Sequence, residues 1–264
     1  VDGTNPHGDA PTFDAGTYGR SFADVYDEWY GERDPGPVVS LLRRLAPPPA
    51  PVLELGVGTG RVALALADAR YEVWGVDTSP EMLAVADTKA GERSSRANLH
   101  LVEGDAAVAG DLPAGPFAVV LGAFNLLCNL ADRPAQAACL AAAAGVLDTD
   151  GVVVLETFVA AAPAERRRDL VTRSVEADRV VLIATDTDPA TSTITGAHIE
   201  LRDGEVPRLR PWRVRYLTPD ELDELAATAG LELADRWGDA DGAPFVAGES
   251  PQHVSVYRRR PHHD

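Results

Sequence analysis

Apolar positions along the chain follow two rhythms, short continuous runs and helical spacing, and the two alternate between residues 51 and 157. Val52, Leu53 and Leu55 predict a short buried strand. Val62, Leu64, Leu66 and Ala67, in an Ala-rich stretch without Gly or Pro, predict the helix after it. Tyr71–Asp77 and Leu99–Val102 repeat the strand pattern, and Thr78-Ser79-Pro80-Glu81 between them opens a helix with a cap and a first-turn proline. Phe117–Gly122 is apolar throughout, as a strand covered on both faces must be. A helix over 134–147 then leads to the strand Val152–Thr157. Strands alternating with helices predict an open, mostly parallel α/β sheet.

The flanks read differently. Phe22, Val25, Tyr26, Trp29 and Tyr30 recur at helical spacing and put an aromatic stripe on one face of a short helix. A second helix, Val38–Leu45, stops at Pro47-Pro48-Pro49. Residues 170–217 alternate with period two, with turns at 188–191 and at Asp203-Gly204, which predicts an antiparallel meander of about three strands. Thr218-Pro219-Asp220-Glu221 caps a last helix that ends at Ala229-Gly230. Leu231–Trp237 and an edge strand, His253–Tyr257, follow. The expected organisation is a loose tail over 1–16, helices and a cofactor core over 17–157, an inserted β element over 158–217, and a helix and hairpin over 218–264 that complete the core.

The join between the first strand and its helix carries Glu54-Leu55-Gly56-Val57-Gly58-Thr59-Gly60-Arg61. Glycines there let the backbone take φ > 0 and let a ligand approach the main chain, at the strand end where open α/β sheets bind cofactors. The dinucleotide fingerprint needs a third small residue at position 61, which is arginine, so a nicotinamide-dependent oxidoreductase is disfavoured. The acidic-x-G-x-G-x-G pattern instead resembles the first motif of the class I S-adenosylmethionine-dependent methyltransferases. Two later strand ends agree. Asp77 lies 21 positions beyond Gly56, where a carboxylate accepts ribose hydroxyls, and Glu103-Gly104-Asp105-Ala106 lies where the family places an acid near the adenine amine.

The resemblance implies a Rossmann-like, seven-stranded, mostly parallel sheet with helices on both faces, an N-terminal helical lid and the β insertion. It implies S-adenosylmethionine as cofactor, leaving as S-adenosylhomocysteine, held by Glu54, Gly56, Gly58, Gly60, Asp77, Thr78, Gly104, Asp105, Ala106, Ala123 and Phe124. Met82, the sole methionine, either faces adenine or fills the core. Tyr26-Asp27-Glu28-Trp29-Tyr30 is similar to the family's N-terminal Tyr-Asp-x-x-Tyr segment. That helix either packs on the sheet or covers the cofactor with Tyr18, Tyr26 and Trp29, whose rings suit a sulfonium cation.

The acceptor is written less clearly. The [Asn/Asp]-Pro-Pro-aromatic signature of enzymes that methylate the planar amines of adenine or glutamine and the Pro-Cys nucleophile of cytosine C5 methylation are both missing after Gly122. Tyr30, Asn125, Arg213 and Arg215 are candidate substrate contacts, with helix capping the alternative for Asn125 and a solvated strand face the alternative for the arginines. His198, Glu156 and His253 are candidate bases for an N or O acceptor on a small metabolite, and a lone histidine is more often structural. Methyl transfer needs no dedicated catalytic residue where positioning suffices. The segment pattern looks like methyltransferases of secondary-metabolite pathways; an inactive S-adenosylmethionine-binding protein is the remaining alternative.

Charge narrows the partners. With 41 acids against 24 bases the formal charge is −17, which opposes binding to nucleic acid or anionic membrane. Cys128 and Cys139 are too few for a disulfide framework, and no metal site is expected. No apolar run is long enough to span a bilayer, and the first residues carry no leader-like pattern, so a cytoplasmic enzyme is expected, with a homodimer through the β insertion as one possible assembly.

Overall fold

The computed structural model describes residues 13–160 and 163–260; most of the expected tail over 1–16 lies outside them. Two short helices, α1 (Thr17–Phe22) and α2 (Tyr26–Tyr30), precede α3 (Gly36–Leu45). Strands and helices then alternate as β1 (Pro51–Leu55), α4 (Arg61–Asp68), β2 (Glu72–Asp77), α5 (Pro80–Gly91), β3 (Leu99–Glu103), β4 (Phe117–Gly122), α6 (Leu126–Asn129), α7 (Arg133–Gly145) and β5 (Leu147–Phe158). Four strands follow, β6 (Arg167–Val175), β7 (Arg179–Asp188), β8 (Thr193–Arg202) and β9 (Arg208–Arg215). The chain closes with α8 (Pro219–Thr228), β10 (Leu231–Trp237) and β11 (Gln252–Arg259).

The main sheet has the order β10-β11-β5-β4-β1-β2-β3, parallel except where β11 pairs with β5 and β10. Strand order reverses at β1, which lies between β2 and β4, so the crevice beyond its carboxyl end is the ligand site this topology favours. Fully apolar β4, and β1, apolar but for Glu54, are central and buried on both faces, one packed with α7 and α8, the other with α3 and α4. Helix starts follow local chemistry: Ser79, Asp132 and Thr218 each accept a backbone N–H from the first turn, and each is followed within two residues by proline. No helix among the described residues is long and apolar enough to cross a membrane.

Two expectations change. The inserted meander has four strands rather than about three, β6-β7-β8-β9 in sequence order, with the largely exposed Arg167–Val175 as an edge strand that begins before the alternating region. His253–Tyr257 is not an edge: β11 lies between β5 and β10, which buries His253 through Tyr257 and leaves β10 outermost.

Candidate active site

A cavity of about 390 Å³ opens at the carboxyl ends of β1, β2 and β4, between the main sheet, the α1–α2 lid and the inserted sheet. Its floor is the glycine loop. Gly56, Gly58 and Gly60 all have positive φ (64°, 55° and 81°), so each position needs glycine on conformational grounds alone. A Cβ on Gly58 would meet nothing within 4 Å, which leaves an open cradle of main chain. Gly60, by contrast, starts α4 against Leu64 and Ala86 and does not reach the cavity.

Asp77 ends β2 beside this loop. Its carboxylate accepts the Gly58 N–H at 2.8 Å and the Ser79 N–H at 2.9 Å, so it braces the loop as well as lining the cavity. Burial raises its pKa, with those backbone donors opposing. Thr78, Gly104, Asp105, Ala106 and Ala123 line the same end, and Asp105 shapes its turn by accepting the Ala107 N–H at 2.8 Å. Met82 is 2% exposed, packs with Phe22 and Val25, and lies on the cavity wall.

Glu54 lies beneath the loop rather than on the wall. It is 3% exposed, burial pushes its carboxyl up to about 8 against the pull of Arg61, and one carboxylate oxygen has no partner. A buried acid with an unmet acceptor, an open main-chain cradle and two strand-end acids on the wall, Asp77 and Asp105, fit a ligand carrying an ammonium, ribose hydroxyls and an adenine, as S-adenosylmethionine does.

The lid supplies the roof. Tyr26 and Tyr30, four apart on α2, share a face and line the cavity with Tyr18. Trp29 turns elsewhere, a correction to its expected cofactor role. One position off that face, it packs on Phe22 and His198, with the Arg173, Arg179 and Arg210 guanidinium groups over its ring. The lid is tied on both sides. Asp27 takes the Thr59 hydroxyl at 2.6 Å and pairs with Lys89, the chain's sole lysine, at 2.9 Å. Toward the inserted sheet, Asp24 pairs with Arg210 at 2.6 Å and Arg208 at 2.7 Å, Glu28 pairs with Arg179, and buried Glu200 joins Arg179 and Arg210 at 2.8 and 3.1 Å.

On the acceptor side, Phe124, Asn125, Phe158, His198, Trp212 and Arg213 line the wall. Among the described residues Arg213 makes no ion pair; Arg215 instead bonds Gln136 and Glu221, both at 2.7 Å, so it braces α7 and α8 and lies off the wall. Asn125 does not cap α6 through its side chain; its Oδ1 accepts the Phe158 N–H at 2.7 Å. Trp212 and Phe158 were not foreseen. Single aromatics in a polar strand and at a strand end carry no local signal, and only the docking of the inserted sheet brings them to the site.

The candidate bases fare poorly. His198 lines the cavity, but the Trp212 indole N–H donates to its Nδ1 at 3.1 Å. An indole nitrogen only donates, so Nδ1 must accept and the neutral ring carries its proton on Nε2. Burial, with Arg173 and Arg210 nearby, lowers its pKa to about 4, so it is neutral at pH 7 with its free lone pair engaged. His253 lies outside the wall, buried against Phe245 and bonded to Ser255, and is also lowered to about 4, chiefly by burial. Glu156 lies off the wall too, and its carboxylate accepts the Phe124 N–H at 2.8 Å.

A doubly wound sheet with this glycine loop, paired strand-end acids and an aromatic lid defines a methyltransferase that uses S-adenosylmethionine. Residues 52–151 match the model of the methyltransferase domain family. The structure of the CcbJ methyltransferase from Streptomyces caelestis is similar over 94% of this chain and 100% of that one, with 38% identity and a TM-score of 0.88. CalS10, a SAM-bound amino pentose methyltransferase from Micromonospora echinaspora, shares the fold at 22% identity, covering 96% and 100% with a TM-score of 0.64. The putative methyltransferase YqeM of Bacillus subtilis is 34% identical over 70 residues, a match spanning 26% of this chain and 28% of that protein's length. The chain belongs to the class I S-adenosylmethionine-dependent methyltransferases.

Proposed function

We propose that the protein methylates an amine nitrogen of a small metabolite in a secondary-metabolite pathway. One observation carries the choice of nitrogen. The imidazole on the acceptor wall is held by Trp212 as a donor, and the lining carboxylates are engaged elsewhere: Asp77 on the glycine loop, Asp105 in its own turn and Asp14 with Arg20. An alcohol must give up its proton within the site before it attacks, whereas an amine reaches its nucleophilic form by losing a proton to water.

The cofactor supplies an activated methyl group whose sulfonium leaves as a thioether, so the protein's part is to bind, orient and exclude water. Gly58, Asp77 and Asp105 would hold the donor, with Glu54 beneath them. Tyr18, Tyr26 and Tyr30 close over it, their faces attractive to the sulfonium charge. Asn125 and Arg213 stand where the acceptor would lie. KedS8, described as a sugar N-methyltransferase, and CalS10, described as acting in calicheamicin biosynthesis, support the same chemistry and pathway class through fold alone.

The test is to incubate the enzyme with labelled S-adenosylmethionine and paired panels of amino and hydroxy metabolites. Label is expected in amines only, and transfer confined to hydroxyl compounds would refute the assignment. A homodimer through the insertion belongs to the same reading. Six of the nine large apolar side chains exposed among the described residues lie there, Leu170, Val171 and Val175 on its edge strand β6, and residues 163–217 carry ten arginines against nine acids in an otherwise strongly acidic chain. Light scattering of wild type and Leu170→Glu should show a dimer and a monomer, and a wild-type monomer would end that part of the proposal.

A further inference from the structure

Phe124 and Asn125 form a consecutive left-handed pair, with φ of 47° and 65°. Such backbone costs energy for any residue with a Cβ, more for an aromatic than for asparagine, and it persists only where neighbours over-determine it. Here the end of β5 does so. The Glu156 carboxylate accepts the Phe124 N–H at 2.8 Å, the Glu156 carbonyl accepts the Asn125 N–H at 3.0 Å, and the Phe158 N–H donates to Asn125 Oδ1 at 2.7 Å.

The held step feeds both halves of the cavity. It sets the Phe124 ring 5.5 Å from that of Tyr30, with the Arg33 guanidinium 4.6 Å from its centroid. It also seats Leu126 directly on Gly56, where even one added carbon would clash. Glu156 touches none of this through the cavity; its free energy is spent on backbone.

We propose that Glu156 is a positioning residue, whose carboxylate holds the left-handed Phe124–Asn125 step so that Phe124 faces Tyr30 and Leu126 supports the glycine loop. The proposal rests on the cavity being the methyl-transfer site, but its test needs no acceptor. S-adenosylhomocysteine affinity by calorimetry and amide exchange over residues 123–127 are measured for wild type, Glu156→Gln, Glu156→Ala, Phe124→Gly and Phe124→Gly/Glu156→Ala. A glutamine amide oxygen can still accept the N–H, so Glu156→Gln should stay within about threefold of wild type on both readouts. Glu156→Ala, losing a charge-assisted bond, should weaken binding and speed Phe124 exchange by about tenfold or more, with β6–β7 exchange unchanged. Glycine takes the left-handed step freely, so in the Phe124→Gly background the alanine change should cost less than about threefold.

Glu156→Gln failing as badly as Glu156→Ala would show that the charge itself acts, and would overturn the proposal. So would Glu156→Ala binding like wild type with the Phe124 amide still protected, or an undiminished loss in the Phe124→Gly background. If Glu156→Ala does not fold, the glutamine variant and the Phe124→Gly pair decide. A wild-type protein that ignores S-adenosylhomocysteine would strike the functional reading instead.

Discussion

Replacing Arg210 with methionine should release the lid. Arg210 is 1% exposed and carries three attachments at once: Asp24 at 2.6 Å, in the turn between α1 and α2, the Ser21 carbonyl at 2.7 Å, in the last turn of α1, and Glu200 of its own sheet at 3.1 Å. Methionine fills much of the volume but leaves buried Glu200 with Arg179 at 2.8 Å and the half-exposed Arg202 at 3.3 Å, both on its other oxygen, and its Oε2 without the Arg210 donor. Breaking a buried pair from one side costs about 3–5 kcal/mol. Asp24 is 43% exposed on its side chain and can rehydrate, which argues for the lower end, about 3 kcal/mol. If the lid unfolds with the whole domain, that corresponds to a fall in Tm of about 6–12 °C for a chain of this size. If it undocks alone, Tm barely moves and opening becomes roughly 150-fold more frequent, by the usual 1.4 kcal/mol per decade. Amide exchange over residues 17–30, read beside Tm, separates the two. In either case S-adenosylmethionine should bind more weakly, because Tyr18, Tyr26 and Tyr30 ride on the lid. Arg210→Lys should not rescue, since a point charge cannot reproduce a fork that reaches two carboxylates and a carbonyl. Unchanged exchange over 17–30, with cofactor affinity within about twofold of wild type, would refute the latch.

Three further outcomes follow from the site. Glu54 has its folded pKa raised from 4.5 to about 8, so the stability linked to its neutral form is complete below about pH 4.5 and is lost as pH rises through 8; Glu54→Gln should flatten the fall in apo-protein Tm over that window, and an unaltered slope would contradict the assignment. Asp77→Ala removes both the expected ribose partner and the Gly58 brace and should weaken S-adenosylmethionine binding by about tenfold to a hundredfold in calorimetry, with unchanged affinity sinking the role. For His198, held near 4 by burial, nitrogen NMR should show a neutral ring protonated on Nε2 throughout pH 5.5–8, and Trp212→Phe should allow the other tautomer; a wild-type titration near 6.5 would contradict the structure.

The cofactor half of the site was legible because it is local. Strand, glycine turn and helix follow one another within 20 residues, and the acids at 77 and 105 mark the ends of the next two strands, where parallel topology itself brings them together. The acceptor half was not. Whether Glu156 faces the cavity or its neighbour's backbone, whether Trp29 points with Tyr26 or away from it, and which of two arginines on one strand finds a carboxylate are questions of facing, and each is answered by an element distant in the chain.

The sequence alone therefore determined the fold class and the place of the cofactor loop, since these rest on periodicity, glycine conformation and strand-end spacing, which any parallel α/β sheet converts into place; the donor followed from the resemblance of that loop to a known family, and the aromatic stripe was visible without its facing. Tertiary structure decided the rest. It tied the lid to a sheet nearly two hundred residues away through Arg210, turned His198 from base to donor through Trp212, and turned Glu156 from base to clamp. The reason is that a side chain's chemistry depends on what its polar atoms already hold, and long-range packing chooses those partners.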